Sequence, residues 1–336
     1  MRVVVTEEGG RHNLKRLFSC AAAPSGCFRH CHPARIRQGG IPGAPAHHAV
    51  KPCGRAKNCV HVARFIAGAV PPCKAPAHGV VGVFRLQFSF PPHVIRVNIP
   101  GQAELLARIG ALFEAREGFA LATINLDHLV KLASDPAFRA AYAAHDLIVA
   151  DGNPIVWLSR LAGKPVELVP GSDMVLPLAR LARDKGVTVA LLGSTDAVLE
   201  QTAADLAREV PGLKIVRRIA PPFGFDPQGA DAAAILTEIG ASGAGLCFLA
   251  LGAPKQELLA ARGRELAPQT GFASIGAGLD FIAGTQKRAP VWVRRLALEW
   301  VWRMLSSPRR LIPRYAKCIA ILPGQTVAAL RQRGED

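Results

Sequence analysis

Short apolar runs alternate with helical segments along the chain from about residue 94 onward. Runs such as GFALATIN, DLIVADG, VTVALLG and GLCFLAL are apolar nearly throughout, which predicts buried strands. The segments between them, such as HLVKLASDPAFRAAYAAH and STDAVLEQTAADLARE, repeat apolar residues at helical spacing. Because apolar strands separated by helices pair in parallel, we predict an α/β fold: a Rossmann-like parallel sheet with helices on both faces.

Polar residues and glycines follow the predicted strands. In parallel sheets, ligands bind outside the carboxyl ends of the strands, where the connecting loops collect. The residues at these ends are Thr123 with Asn125, Asp151 with Gly152, Gly193 with Ser194, Lys255 to Glu257, and Gly276 with Gly278. Local structure offers alternatives. Asp151 fits a turn, Ser194 and Thr195 fit a helix cap, and Glu257 fits an acid in a first helical turn. The helix start at Ser194 and Thr195 could also receive a phosphate.

Two common phosphate-binding motifs do not occur in the sequence. No G-x-G-x-x-G follows the first predicted strand, and no G-x-x-x-x-G-K-[ST] occurs. Nicotinamide-dependent hydride transfer and P-loop chemistry are therefore disfavoured.

Residues 1–93 differ from the rest of the chain. They hold 13 of the 41 basic residues against two acids, and six of the eight cysteines. Proline and glycine interrupt every stretch of regular period, so we predict an irregular or disordered segment. Since no Met lies between Met1 and Met174, a wrongly chosen start with a later Val codon, at Val94 or Val97, would also explain it.

Three functional interpretations compete for this segment. A zinc module would use ligands whose spacing matches none of the common paired patterns: Cys27, His30, Cys31, His32, Cys53 and Cys59. A secretory signal or lipid attachment at Cys20 lacks a continuous apolar core before that cysteine. A basic nucleic-acid arm accounts for the charge but not for the cysteines.

From these patterns we predict three segments: an irregular Cys/His-rich segment at 1–93, an α/β core at 94–288 and a basic appendage at 289–336.

The positive charge of the core and appendage is concentrated near the C-terminal end. Residues 288–317 hold eight basic groups and one acid, whereas residues 94–287 are nearly neutral. A helix is predicted to start near Pro290, with Arg295, Glu299 and Arg303 in one stripe. No apolar run reaches the roughly 18 to 20 residues that span a bilayer. The appendage therefore fits an anionic lipid surface or a diphosphate, and the neutral core disfavours nucleic acid.

Seven segments stand in a fixed order along residues 100–318: ATINLDHL, VADGNPIVW, PGSD, LLGS, LGAPKQE, GAGLDFIAGTQKRAP and LEWVWRMLSSPRR. Together they resemble the WecG/TagA/CpsF-type bacterial glycosyltransferases. The resemblance implies an inverting, metal-independent transferase without a cofactor. It would move N-acetylmannosamine or a related hexose from a UDP-sugar donor to a polyprenyl-diphosphate-linked sugar acceptor. The enzyme would be cytoplasmic and peripherally attached to the inner face of the cell membrane.

The resemblance also assigns roles to residues of this chain. Asp151 matches the catalytic Asp, and a carboxylate at the ligand edge of a sheet can take the proton of an acceptor hydroxyl. Thr123 is the second catalytic candidate. The strand ends add Asn125, Gly152 and Gly193 as substrate-binding candidates, and Asp173 is a second acid to test. By resemblance, Gln256 and Asp280 bind the nucleotide, and Arg303, Arg310 and Arg314 neutralise the leaving diphosphate. For Asp173, the cap of its own helix is the alternative.

Several properties stay open at this point. The donor sugar, the acceptor lipid and the oligomeric state are not fixed, and a homo-oligomer is allowed. A non-catalytic, membrane-associated UDP-sugar-binding protein would carry the same pocket and basic tail. Cys247 and Cys318, the two cysteines of the core and appendage, are too few for a disulfide framework, which fits a reducing compartment.

Overall fold

The computed structural model describes residues 85–286, 289–290, 293, 299–306 and 308–334. The zinc, signal and nucleic-acid hypotheses therefore fall outside the described residues, because all of their residues precede residue 85. Most of the helix predicted to start near Pro290 also falls outside them.

A six-stranded parallel sheet forms the centre of the core, as predicted. Its strands lie in the order β4-β3-β8-β7-β5-β6, and every neighbouring pair is parallel. The strands are β3 (Ala120–Ile124), β4 (Leu147–Ala150), β5 (Val189–Gly193), β6 (Ile215–Ile219), β7 (Leu246–Ala250) and β8 (Gly271–Ser274).

Helices connect the strands and cover both faces of the sheet. They are α1 (Gln102–Ala115), α2 (Leu126–Ser134), α3 (Pro136–Ala143), α4 (Asn153–Leu161), α5 (Val175–Asp184), α6 (Asp196–Glu209), α7 (Ala230–Ala241), α8 (Lys255–Leu266) and α9 (Gly278–Ile282). Two further helices, Glu299–Ser306 and Pro308–Gln332, follow at the C-terminal end. The predicted Rossmann-like α/β fold with a helical C-terminal appendage is confirmed.

Alternate residues of each strand enter different apolar clusters, which explains why the strands are apolar throughout. On β5, Leu191 packs among residues of α1, α5 and α6, whereas Leu192 packs among residues of α7 and α8. On β3, Ile124 packs with residues of α2, α3 and α4. A strand buried on both faces needs an apolar residue at every position, so it shows no alternation.

Side-chain caps fix the starts of several helices. Asn125 accepts a hydrogen bond from the backbone N–H of His128 at 3.1 Å, and Asp135 accepts one from Phe138 at 3.0 Å. Thr195 caps α6 by accepting from Val198 at 3.4 Å, which confirms the cap expected there. Such caps satisfy N–H groups that have no partner within the helix.

An antiparallel hairpin precedes the sheet and corrects the boundary expected at residue 93. Its strands are β1 (Gln87–Phe90) and β2 (His93–Arg96), and Phe88 pairs with Ile95. Both side chains are buried in the cluster that contains α2 to α4. Regular structure therefore includes residues 87–90, where the sequence pattern predicted an irregular chain.

The C-terminal helix Pro308–Gln332 packs against α2 and α4. Leu311, Cys318 and Ala329 are buried along it. Near its end, the Gln332 amide accepts from the backbone N–H of Gln87 at 3.1 Å and donates to the carbonyl of Gln87 at 2.8 Å. The appendage is thus anchored to the N-terminal hairpin. Within the described residues, no helix is both long enough and apolar enough to cross a lipid bilayer.

Candidate active site

Thr123 and Asp151 meet at the carboxyl edge of the sheet, because β3 and β4 are neighbours. The hydroxyl of Thr123 donates to Oδ2 of Asp151 at 3.4 Å, and the backbone N–H of Asp151 donates to the carbonyl of Ile124 at 2.7 Å. Thr123 is buried, whereas Asp151 is partly exposed. The arrangement holds a carboxylate at the solvent boundary with one oxygen oriented by a hydroxyl, and its role as a general base stays a prediction.

Asn125 and Gly152 shape the same corner. The side-chain oxygen of Asn125 is used in capping α2, and a Cβ on Gly152 would lie 3.7 Å from the Cβ of Asn125. Gly152 has a φ of 122°, a conformation that other residues rarely adopt. Gly152 therefore lies beside Asn125 at the corner where α4 begins.

A second polar group lies where β5 and β8 end. The Ser194 hydroxyl donates to Oδ1 of Asp280 at 3.1 Å, and the Thr285 hydroxyl donates to the same oxygen at 3.4 Å. Ser194 has a φ of 55°, which is uncommon for a residue with a side chain. The preceding Gly193 is buried against the end of β7. Asp280 is thus held with its carboxylate at the sheet edge.

Gln256 joins the loops that follow β7 and β8. Its Oε1 accepts from the backbone N–H of Gly276 at 3.1 Å, and its Nε2 donates to Oε1 of Glu257 at 2.8 Å. Only 3% of Gln256 is exposed. Gln256 therefore holds the two loops together, and its contact with a nucleotide stays a prediction.

The neighbouring Lys255 and Glu257 have partners of different kinds. Lys255 Nζ donates to the carbonyl of Phe225 at 2.8 Å. Glu257 is completely buried, with 0% exposed, and burial raises its pKa from 4.5 to about 7 despite the hydrogen bond from Gln256. The three polar residues that follow the apolar strand β7 therefore contact three different parts of the carboxyl edge. Lys255 contacts the loop after β6, Gln256 contacts the loop after β8, and Glu257 contacts α2.

His128 and Tyr142 lie beside Glu257, and the sequence pattern singled out neither. His128 Nε2 is 3.8 Å from Oε1 of Glu257, and its Nδ1 is 3.2 Å from the hydroxyl of Tyr142. Burial lowers the pKa of His128 to about 3, so its ring is neutral near pH 7. Burial raises the pKa of Tyr142, and the negative charges of Glu257 and Asp151 raise it further. Although His128 lies within the segment ATINLDHL, its contact with Tyr142 and Glu257 could not be predicted, because it joins three separate helices.

Arg314 connects the C-terminal helix to the start of α2. Its Nε lies 2.8 Å from Oδ1 of Asp127, whose Oδ2 lies 2.7 Å from Lys131 Nζ. Burial by itself would raise the pKa of Asp127, but Lys131 and Arg314 hold that pKa below its ordinary value. Of the three candidate arginines, only Arg314 has a described side chain. The side chains of Arg303 and Arg310 lie outside the described part of the chain.

Asp173 lies in a 3₁₀ turn, Gly171–Met174, ahead of α5. Its carboxylate accepts from the Ser172 hydroxyl at 3.5 Å and borders a cavity of about 250 Å³ that Phe281 also lines. Met174 is the residue that caps α5, so the cap suggested for Asp173 is wrong. The cavity places Asp173 near the helix that carries Asp280.

Acidic, His and Cys side chains do not form a cluster of three or more that could hold a metal ion anywhere in the described residues.

Comparison with known proteins identifies the family. Residues 93–335 match the family described as "Glycosyl transferase WecG/TagA/CpsF family". The chain is also similar to an N-acetylglucosaminyldiphosphoundecaprenol N-acetyl-beta-D-mannosaminyltransferase of Bacillus spizizenii. The two are 30% identical over 213 residues, which cover 61% of this chain and 80% of that protein. The protein is a glycosyltransferase, and the chain belongs to the WecG/TagA/CpsF family.

Proposed function

We propose that this glycosyltransferase moves N-acetylmannosamine, or a related hexose, from a UDP-sugar to a polyprenyl-diphosphate-linked sugar in cell-wall or exopolysaccharide synthesis. The name of the Bacillus spizizenii relative states an N-acetylmannosaminyl transfer and a diphosphoundecaprenol-linked N-acetylglucosamine. The hydrogen-bonded pair Thr123–Asp151 at the carboxyl edge is the observation that supports this chemistry most directly.

Asp151 serves as the general base in a single displacement. The acceptor hydroxyl attacks the anomeric carbon, its proton passes to Asp151, and UDP leaves with the electron pair of the broken glycosidic bond. One displacement at this carbon inverts its configuration. The Thr123 hydroxyl orients the carboxylate, and a positioned base of this kind contributes about 10² to 10⁴ in rate.

The nucleotide binds between the ends of β5, β7 and β8. Asp280 accepts hydrogen bonds from nucleotide hydroxyls, and Gln256 keeps the loops after β7 and β8 in place. Asn125, Gly152, Asp173 and Gly193 line the rest of the pocket. The negative charge that develops on the diphosphate is stabilised by Arg303, Arg310 and Arg314, so the reaction needs no metal.

The C-terminal helix brings the enzyme to the inner face of the cell membrane. Its exposed apolar residues Ile312, Ile319 and Leu330 are 54%, 57% and 48% exposed, and their spacing keeps them on one face. The exposed cations Arg309 and Lys317 add attraction for anionic lipids. An apolar face beside cations is typical of a helix that lies in a membrane interface.

Release of UDP tests the proposal. The protein would be incubated with UDP-N-acetylmannosamine, UDP-glucose or UDP-N-acetylglucosamine and a short-chain polyprenyl-diphosphate N-acetylglucosamine. We expect UDP release that depends on the acceptor, and a single anomeric product of inverted configuration. Binding of UDP-sugar without acceptor-dependent release from any donor would instead indicate a non-catalytic binding protein.

A further inference from the structure

Glu257 is a carboxyl group buried at the start of α8, and the part of the chain that the structure describes supplies no positive partner for it. It is 0% exposed, and no Lys or Arg of the described residues forms an ion pair with it. Its Oε1 accepts from Gln256, whereas its Oε2 has no hydrogen-bond partner among the described residues. An ionised carboxylate is costly to bury without a cation, so this environment favours the neutral acid.

The groups that face Glu257 come from three helices. From α2 come His128, at 3.8 Å, and the more distant charges of Lys131 and Asp127. From α3 comes Tyr142, whose hydroxyl is 3.2 Å from the His128 ring. On α8 itself the neighbour is Gln256. Since the His128 ring is neutral, the side chains in closest contact with Glu257 carry no compensating positive charge.

Each direct neighbour of Glu257 fixes a part of the site. Gln256 holds the loop after β8 through the N–H of Gly276, and the N–H of His128 is capped by Asn125, which directly follows β3. The carboxyl group therefore lies where the segments after β3, β7 and β8 are joined. A change in its charge would act on all three segments. Asp151 directly follows β4, the strand next to β3.

We propose that Glu257 is a positioning residue for sugar transfer and that it acts as a neutral carboxylic acid, holding Gln256 and His128 in the spacing that the reaction needs. This role rests on the proposed function. Loss of the proton places a negative charge among neutral buried groups, and the cluster opens to admit water. The reaction therefore slows as Glu257 ionises.

An ordinary packing role makes a different prediction. A first-turn acid that merely complements the helix dipole would favour the ionised form. Its replacement would change the stability of the protein but leave the pH dependence of turnover unchanged. The pH profile of kcat therefore separates the two roles.

The test compares Glu257→Gln, which imitates the neutral acid, with Glu257→Leu, which removes its polar group. Glu265→Gln, on the exposed side of α8, is the matched control. The full chain would be assayed with UDP-N-acetylmannosamine and the short-chain acceptor between pH 5.5 and 8.5, with kcat and KM measured separately.

The wild type should lose about tenfold in kcat between pH 6 and pH 8, because one ionisation near pH 7 leaves about a tenth of Glu257 neutral at pH 8. The control should share that loss. Glu257→Gln should keep kcat within about twofold of the wild-type plateau at every pH, and Glu257→Leu should lower kcat throughout.

An unchanged alkaline loss in Glu257→Gln, or wild-type kcat in Glu257→Leu at pH 6, would overturn the positioning role alone. The absence of turnover in the wild type with every donor would overturn the proposed function and this role with it. If Glu257→Leu fails to fold, the pH profile of kcat for Glu257→Gln still tests the positioning role.

Discussion

Strands β5 and β7 end so close together that residue 193 has room only for glycine. A Cβ at Gly193 would lie 2.4 Å from the carbonyl oxygen of Ala250 and 2.6 Å from its carbonyl carbon. These are backbone atoms within a central pair of strands, so they cannot move as a flexible side chain can. In addition, Gly193 has a φ of 122°, which strains any other residue.

Gly193→Ala should therefore destabilise the protein through two separate effects. Overpacking against fixed backbone costs about 1–3 kcal/mol. The unfavourable backbone conformation costs about 1–3 kcal/mol more. Together they predict a loss of roughly 2–6 kcal/mol in the free energy of unfolding. We also expect a higher KM for the UDP-sugar, because Ser194 would move away from Asp280.

Urea unfolding measures the loss, with Gly186→Ala as the control. Gly186 has a φ of 66° but no atom within 4 Å of its hypothetical Cβ, so its variant carries strain without overpacking. The control should lose about 1–2 kcal/mol. Equal losses in the two variants would refute the close approach of β5 and β7.

Further predictions concern charge, lipid contact, the start of the fold and metals. Glu257→Gln should be more stable than the wild type by roughly 3 kcal/mol above pH 7, since the folded pKa of about 7 exceeds the ordinary 4.5. The stability advantage of Glu257→Gln should decrease as the pH is lowered from about 7 and should vanish below about pH 4.5. Guanidinium unfolding of both proteins at matched pH measures it, and a difference that does not depend on pH would contradict the prediction. Replacing Ile312 and Ile319 by Glu should remove most sedimentation with anionic liposomes while UDP affinity stays unchanged, and unaltered sedimentation would refute the lipid contact. A chain starting at residue 85 should keep full turnover, whereas one starting at residue 94 should melt at lower temperature because β1 and its buried Phe88 are removed; equal melting temperatures would contradict this. EDTA should leave turnover unchanged, and a loss restored by Mg²⁺ would refute metal independence.

The sequence was sufficient to predict the sheet and the edge at which polar residues collect. Strands buried on both faces are apolar throughout, and the carboxyl ends of parallel strands lie on one edge, so Thr123 and Asp151 could be expected near one another. The same rule led to Gln256, whereas Asp280 was assigned through the family resemblance. The strand-end predictions depend on local pattern and on one topological rule.

Contacts between distant parts of the chain could not be predicted in this way. His128 and Glu257 belong to two separate segments, ATINLDHL and LGAPKQE, and their contact forms only because α2 and α8 begin at the same edge of the sheet. Gln332 binds the backbone of Gln87 across 245 residues of sequence. The boundary at residue 93 was placed too late because Pro91-Pro92 reads as a break, although these residues form the turn of a hairpin.

A structure of the protein with bound UDP would show whether Asp151 acts at the donor sugar. We predict that the diphosphate lies at the carboxyl edge of the sheet, with the uridine near Asp280 and the Asp151 carboxylate facing the position of the donor sugar. UDP bound at another surface, with Asp151 directed away from it, would contradict the role of Asp151 as the base.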